Sequence, residues 1–130
     1  MHAKKIFKTK ALDRWARKAI GDSYLCAAAR EIEAGKYEAD LGRGLCKKRI
    51  ALPGHGKRGS LRTLVAKRHP DAIIFLIGRE KSAPGSDFSE AVMEAAKILA
   101  DSLHRQSIGT LTDMCRDGAL KEICDGLQEQ

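Results

Sequence analysis

The chain lacks the apolar segments of a membrane or secreted protein. Its longest apolar run, Ala72 to Ile77, is far shorter than the roughly 20 residues that a transmembrane helix needs. No apolar region follows the lysines near the N-terminus, so the sequence predicts no secretory signal. We therefore expect a cytoplasmic protein that makes no contact with a membrane.

Closely spaced cysteine pairs are also missing. The four cysteines, Cys26, Cys46, Cys115 and Cys124, form neither a CxxC nor a CxxxC pair. A zinc site of four thiolates usually draws on such pairs, so the spacing argues against structural zinc. We expect buried, reduced thiols, no metal site and no cofactor.

Acidic residues are absent from one long stretch. Residues 41–70 contain nine lysines and arginines and no aspartate or glutamate, although the net charge of the whole chain is only +7. The rest of the chain therefore sums to −2. Concentrated like charges raise the energy of a compact state, and a polyanion would relieve that cost. This pattern favours a contact with nucleic-acid phosphates, although charge clusters also occur on solvated faces.

The composition is that of one folded domain. Of the 130 residues, 43% are hydrophobic and 32% are charged, proportions that are typical of globular proteins. The length is that of a single domain, which we predict over residues 1–130.

The first third of the chain predicts a strand and a helical hairpin. Residues 3–9 favour a short strand, and the apolar residues of 10–21 recur at helical spacing. A second helix follows, with Asp22 or Ser23 as its cap and Gly35 at its end. The short break between the two helices is typical of a helical hairpin.

The middle of the chain changes from helical to strand character. After a polar link over 36–43, residues 45–52, 61–68 and 72–78 are β-like and are separated by turn signals. The last of these runs is apolar on both faces, which predicts a central, fully covered strand.

The C-terminal part predicts mainly helix. Residues 86–103 have the clearest helical periodicity of the chain. Beyond Gly109, a capping-box pattern from Thr110 to Asp113 indicates a further short helix. Residues 119–124 are compatible with helix or strand.

The order β-α-α-β-β-β-α predicts an α+β fold around a small antiparallel sheet. Three sequential strands with short turns form a meander, and we expect helices on one face and a basic, open second face. In residues 45–52, Cys46 and Ile50 alternate with Lys47 and Arg49, which supports this division.

Four stretches occur in a characteristic order: "KKRIA" (47–51), "GKRGSLRTLVAKR" (56–68), "IFLIG" (74–78) and "EK" (80–81). In this order they resemble the RelE/ParE superfamily of toxins from bacterial toxin–antitoxin modules. The opening "KKIFKTKALDRWARK" also resembles a RelE-like branch of it. The resemblance covers residues 4–108 and leaves 109–130 as a C-terminal helical extension. It implies cleavage of mRNA, usually in the ribosomal A site, and neutralisation by a co-expressed antitoxin. The toxin would contact operator DNA only indirectly, through its complex with the antitoxin.

The resemblance also implies site residues. Arg62 matches the arginine that stabilises the phosphate, Lys47 and Arg49 match a basic pair of the preceding strand, and Arg79 and Lys81 match the basic residues after the central strand. Further basic residues are predicted to bind or steer RNA: Lys48, His55, Lys57, Arg58 and Arg68.

Three positions depart from the pattern of the superfamily. Phe88 stands where RelE-type relatives often carry a tyrosine, and Leu61 stands where an aromatic residue commonly precedes the arginine. Arg79 follows Ile77-Gly78, where relatives of the closer branch often read Tyr-Gly-Phe. These changes remove hydroxyls and stacking surfaces.

Two other residue types have less support as site residues. His55 and His69 could form an acid–base pair, but neither position is fixed by the sequence. Trp15 could stack on a base, but its place in a helical apolar pattern favours core packing. His104 is predicted on a helix surface.

The chemistry is also workable without the resemblance. RNA carries its own nucleophile, the 2′-hydroxyl, so lysines and arginines that stabilise the phosphate can suffice for a ribonuclease site. Together with this chemistry, the resemblance implies a ribosome-dependent mRNA endoribonuclease. A gyrase inhibitor of the ParE type and an inactive basic nucleic-acid-binding module remain as alternatives.

Overall fold

The computed structural model describes residues 3–51, 60–80 and 87–124. These residues form six strands and four helices, and the predicted α+β class is confirmed. In chain order the elements are β1 (Lys5–Thr9), α1 (Lys10–Ala19), α2 (Asp22–Glu33), β2 (Ala39–Gly42), β3 (Leu45–Ile50), β4 (Leu61–Ala66), β5 (Ala72–Glu80), α3 (Glu90–His104), α4 (Ile108–Arg116) and β6 (Leu120–Ile123). None of the described helices is both long and apolar enough to span a bilayer.

All six strands belong to one sheet, in the order β2-β3-β4-β5-β1-β6. β1 pairs with β5 in parallel, and the other neighbouring strands are antiparallel. The predicted meander is confirmed as β3-β4-β5. The central position of β5 is also confirmed, since it lies between β4 and β1 and is buried from Ala72 to Leu76.

The helical hairpin of α1 and α2 follows directly from β1. Thr9 ends the strand and caps the helix, because its Oγ1 accepts a hydrogen bond from the Leu12 amide at 3.0 Å. Two residues, Ile20 and Gly21, separate α1 from α2. The predicted helical hairpin is thus confirmed.

Helices cover both faces of the sheet. α1 and α2 pack on a first face that includes Ile6 and Phe75. α3 and α4 pack on the second face, which includes Phe7 and Ile74. The expectation of helices on one face alone is corrected, because strands that are apolar on both sides need cover on both sides.

Two short edge strands complete the sheet. β2 lies in the segment whose polar sequence predicts a link, and it pairs with β3. β6 resolves the ambiguity of residues 119–124 in favour of a strand, which pairs with β1. As far as Cys124, the predicted helical extension therefore contains α4 and then a strand.

The start of α4 differs from the capping box predicted at Thr110. The helix begins at Ile108, and Ser107 is its cap, since the Ser107 Oγ accepts a hydrogen bond from the Thr110 amide at 3.0 Å. Serine at this position satisfies one of the unpaired amides of the first turn.

A disulfide replaces two of the four expected thiols. Cys26 of α2 is bonded to Cys124, the residue after β6, across a sequence separation of 98. Cys46 and Cys115 are free. The bond forms because the fold brings the end of β6 to the first-face core, where both cysteines pack.

A buried ion cluster joins β1 to the helical hairpin. The Nζ atom of Lys8 lies 2.7 Å from a carboxylate oxygen of Asp13 and 2.6 Å from one of Asp22. Burial acts to lower the pKa of Lys8, but its hydrogen bonds to Asp13 and Asp22 outweigh burial and raise the pKa. Lys8 is therefore a charged structural residue in the folded chain.

Candidate functional site

Three arginines lie side by side across the meander. Arg49 of β3 is directly opposite Arg62 of β4, and Arg62 is directly opposite Arg79 of β5. Residues that pair across neighbouring strands point to the same face of a sheet. Lys47 lies two residues before Arg49 and shares that face. We call these four residues, Lys47, Arg49, Arg62 and Arg79, the cation row.

The cation row lies on the second face of the sheet, at the end near the start of α3. In β3 the alternation buries Cys46 and Ile50 in the first-face core and turns Lys47 to the opposite side. In β4, Arg62 precedes Leu64 of the second-face core by two residues. The predicted alternation of Cys46 and Ile50 with Lys47 and Arg49 is therefore present, although α3 and α4 cover part of the second face.

The register of β5 depends on an irregularity. The pairing between β4 and β5 shifts between Leu64 and Val65, so that Leu64 pairs with Ile77 and Val65 pairs with Phe75. This shift places Arg79 opposite Arg62 and leaves Gly78 on the first face, against Trp15. A β-bulge at such a position re-aims the side chains that follow it.

The residues just before α3 contact the cation row. The carboxylate of Asp87 accepts a hydrogen bond from the Lys47 ammonium, and the backbone carbonyl of Asp87 accepts one from the Arg79 guanidinium. The Arg79 guanidinium carbon lies 5.9 Å from the centroid of the Phe88 ring. Asp87 and Phe88 thus hold two cations of the row, Lys47 and Arg79.

Asp87 is ionised in this position. Burial acts to raise the pKa of Asp87, but the hydrogen bonds from Lys47 and from the Phe88 amide, together with the charges of Lys47 and Arg62, hold the pKa below its usual value. Nothing in the sequence marks Asp87 for this place, because its contact with Lys47 joins residues 40 positions apart.

Lys48 does not belong to the cation row. It points to the first face and is 5% exposed, with its Nζ atom 2.8 Å from a carboxylate oxygen of Glu31 and 3.0 Å from the Lys36 carbonyl oxygen. Strand alternation forces this orientation, since Lys47 and Arg49 occupy the other face. The prediction of Lys48 as an RNA-binding residue is therefore corrected.

Arg68 lies at the opposite end of β4, beyond Ala66. Its guanidinium is 3.7 Å from a carboxylate oxygen of Asp101 in α3, and its backbone amide donates a hydrogen bond to Nε2 of His104 at 3.1 Å. The structure therefore does not bring Arg68, predicted to bind or steer RNA, to the cation row.

The two described histidines have structural positions. His69 is 2% exposed; its Nδ1 accepts a hydrogen bond from the Asp71 amide, and its Nε2 lies 2.7 Å from the Gln106 carbonyl oxygen. Both ring nitrogens are therefore engaged away from the cation row. His104, predicted on a helix surface, is instead partly buried against Arg68 and Gly44.

Four predicted site residues lie outside the described residues. They are Lys81, His55, Lys57 and Arg58. Of the predicted catalytic residues, the structure brings together Lys47, Arg49, Arg62 and Arg79.

The cation row is suited to bind phosphoryl oxygens. Guanidinium groups offer paired, charge-assisted hydrogen bonds to a phosphate, and an ammonium adds a point charge. Within residues 3–51, 60–80 and 87–124, no group of three histidine, cysteine or carboxylate side chains has the arrangement of a metal site. Its charge-assisted hydrogen bonds allow the row to stabilise negative charge that grows on a phosphate during a reaction.

A comparison with protein families covers nearly the whole chain. A family model described as "RelE toxin of RelE / RelB toxin-antitoxin system" matches residues 4–123. No curated protein matches the sequence. The matched range extends from just before β1 to the last residue of β6 and contains the entire cation row.

Proposed function

The chain belongs to the RelE family of toxins from toxin–antitoxin systems, and from this membership we propose that it is an endoribonuclease that cleaves mRNA on the ribosome. Such cleavage would stop translation and arrest growth, and it would take place in the cytoplasm, in the ribosomal A site. The observation that carries the proposal is the alignment of Arg49, Arg62 and Arg79 on one face of three adjacent strands.

The proposed reaction uses the 2′-hydroxyl of the RNA as its nucleophile. The 2′-oxygen attacks the adjacent phosphorus, the bond from phosphorus to the 5′-oxygen breaks, and the products are a 2′,3′-cyclic phosphate and a 5′-hydroxyl. The 2′-hydroxyl loses a proton and the departing 5′-oxygen gains one. Because the nucleophile belongs to the substrate, the protein needs chiefly to position the strand and to stabilise the extra negative charge.

Arg62 is the central residue of this proposal. It lies between Arg49 and Arg79 in the register, so a phosphate above it would be flanked by cations on both sides. A guanidinium remains charged at physiological pH and can form two parallel bonds to phosphoryl oxygens. Those bonds strengthen as charge grows in the transition state, which is the condition for catalysis.

One observation favours a second candidate function. Phe88 takes the place of the tyrosine that RelE-type relatives often carry, and it is buried under Arg79. A phenyl ring cannot transfer a proton. The alternative is a toxin that binds its target through the cation row without cutting RNA, such as a gyrase inhibitor of the ParE type. An inactive basic nucleic-acid-binding module is a further form of this alternative.

Family membership implies an antitoxin partner, and we propose that an acidic segment of it docks beside β3, β4 and α3. An apolar groove lined by Leu76, Ile77 and Val92 borders α3, where Ile98 and Leu99 are exposed. This groove adjoins the cation row through β5, so one segment could fill the groove and neutralise the cations. An antitoxin complex whose contacts lie wholly around Cys26 and Ile32 would contradict this placement.

Expression in bacteria tests the nuclease proposal. We expect induction of the chain to arrest growth and to create new mRNA 5′ ends within translated regions, mapped by primer extension. Arg62→Ala should abolish both effects. Growth arrest without new 5′ ends would instead support a toxin that does not cut RNA.

A further inference from the structure

Asp87 places a carboxylate within the candidate site. The Asp87 side chain accepts a hydrogen bond from Lys47 through one oxygen and from the Phe88 amide, at 2.8 Å, through the other. Ser89, two residues further on, caps α3 by accepting a hydrogen bond from the Val92 amide. Asp87 is therefore anchored at the N-terminal end of a helix and held against a cation of the row.

The contact between Asp87 and Lys47 uses the same donor that a phosphate would use. A lysine ammonium binds a carboxylate oxygen and a phosphoryl oxygen through equivalent charge-assisted hydrogen bonds. A phosphate placed beside an ionised Asp87 would also be repelled by it. The carboxylate and a phosphate therefore compete for Lys47.

The ion pair remains accessible to such a competitor. The side chains of Lys47 and Asp87 are 21% and 34% exposed, so an anion can approach them from solvent. Ion pairs with this degree of exposure are weak compared with several simultaneous phosphate contacts. Displacement of Asp87 from Lys47 is thus within the reach of a polyanion.

We propose that Asp87 is a specificity-determining residue, whose carboxylate occupies the place of a phosphate oxygen at Lys47 and must be displaced by bound RNA. This inference rests on the proposed function of the cation row. Because Asp87 is tethered beside Lys47, it competes at a high effective concentration with any free anion. A single phosphate or sulfate is therefore disfavoured at this position.

An RNA strand differs from a single phosphate in the number of contacts. Neighbouring strands of a sheet are about 4.8 Å apart, so Arg49, Arg62 and Arg79 extend over roughly 10 Å. A strand of RNA can place more than one phosphate along this distance and be held there while it displaces Asp87. Asp87 thus makes tight binding depend on a polyanion.

Binding of two ligands that cannot be cleaved tests the proposal. The ligands are inorganic phosphate and a six-nucleotide RNA with 2′-O-methyl groups, titrated at constant ionic strength and followed by NMR. Asp87→Asn retains the shape of the side chain and removes its charge. The matched control is Asp113→Asn, which removes a carboxylate that is exposed on α4 and lies 3.5 Å from Arg116.

We expect Asp87→Asn to bind inorganic phosphate about two- to fivefold more tightly than the wild type, the range set by the loss of one partly exposed ion pair. Asp113→Asn should change the affinity by less than about 1.5-fold, because distant exposed charges are screened. In a Lys47→Ala background, the gain from Asp87→Asn should fall to the level of this control. Circular dichroism verifies the fold, and Asp87→Ser replaces the asparagine variant if that variant is unfolded.

Five results would overturn the inference. They are a gain from Asp87→Asn no larger than that from the control, weaker binding, a gain that persists without Lys47, no phosphate binding by any variant, and an RNA analogue that binds the wild type no better than inorganic phosphate does. Failure of the proposed function looks different. In that case both ligands would bind as expected, while induction of the chain in bacteria would create no new mRNA 5′ ends.

Discussion

Gly78 of β5 lies directly against the ring of Trp15 in α1, and a Cβ atom built on Gly78 would be 2.2 Å from Cζ3 of Trp15. Trp15 packs against the first-face core, so its predicted role in core packing is confirmed. Arg79 follows Gly78 and points to the opposite face. The absence of a side chain at Gly78 therefore allows α1 to approach the sheet directly behind the candidate site.

Gly78→Ala should destabilise the protein by about 1–3 kcal/mol, because the added methyl group overpacks a site that cannot move freely. Gly109→Ala is the matched control, since the nearest atom to its Cβ would be the Ser107 Oγ at 3.7 Å. In α4 the same change should be neutral or stabilising by up to about 1 kcal/mol. Urea denaturation of both variants measures the difference, and equal stabilities would contradict the close packing at Gly78.

The disulfide should contribute about 2–5 kcal/mol to the free energy of unfolding, because it closes a long loop, between residues 98 positions apart. Cys26→Ser should lose this stability, whereas Cys115→Ser, at a free cysteine, should lose much less. Thiol titration in denaturant provides an independent measurement. We expect two thiols without reductant and four with it, and four thiols in both conditions would rule out the bond.

Sequence patterns predict the parts of this fold that depend on local periodicity. β3, β4 and β5 were recognisable from alternation and apolar runs, and α1, α2 and α3 from helical spacing. β2 and β6 have only four residues each. β6 is a strand because β1, more than 100 residues earlier, supplies its pairing partner, which no local pattern reveals. β2 pairs with β3, which follows it directly, but its four residues are too few to show a clear strand pattern.

The candidate site was predictable only in part for the same reason. The sequence and its family resemblance point to Arg62, Lys47, Arg49 and Arg79 as basic residues of neighbouring strands. Their convergence depends on the register of the sheet and on the irregularity between Leu64 and Val65.

The free energy of unfolding should decrease at acidic pH because of the lowered pKa of His104. Burial, followed by the charges of Arg68 and His69, lowers the pKa of His104 from 6.5 to about 4. The folded chain therefore binds this proton less readily than the unfolded chain, so the free energy of unfolding falls as the pH drops from about 6.5 towards 4. Protonation would also remove the acceptor that His104 offers to the Arg68 amide.

His104→Gln isolates this effect, since every other titrating group is common to the two proteins. The stability difference between wild type and variant, measured by thermal denaturation, should shift in favour of the variant between pH 7 and pH 4. A difference that is independent of pH would show that His104 is not desolvated in the fold.

Lys47 and Lys48 are adjacent in sequence, but their substitution should affect different properties: RNA binding for Lys47 and stability for Lys48. Lys47→Ala should reduce the salt dependence of RNA binding by about 0.7 log units per log unit of salt, the value for one lost contact to a single strand. Lys48→Ala should leave that slope unchanged and instead lower stability by about 1–3 kcal/mol, because it removes the partly buried contacts of the Lys48 ammonium with Glu31 and the Lys36 carbonyl. An equal change of slope in both variants would contradict the assignment of Lys48 to the first face.

Arg62 should carry the largest catalytic effect. Removing one donor that stabilises transition-state charge typically lowers the rate about a hundred- to a thousandfold, and Arg62→Ala should do so in single-turnover cleavage of ribosome-bound mRNA. Arg62→Lys should recover only part of this rate, because an ammonium lacks the planar pair of donors.

The matched control is Arg68→Ala. Arg68 lies just beyond the opposite end of β4, near Asp101, and is not part of the cation row. We expect the cleavage rate of this control to lie within about threefold of the wild-type rate, because the charge of a distant, exposed side chain is screened by solvent and salt. If Arg62→Ala also cleaves within that range, the phosphate is bound elsewhere and the cation row is not the active site.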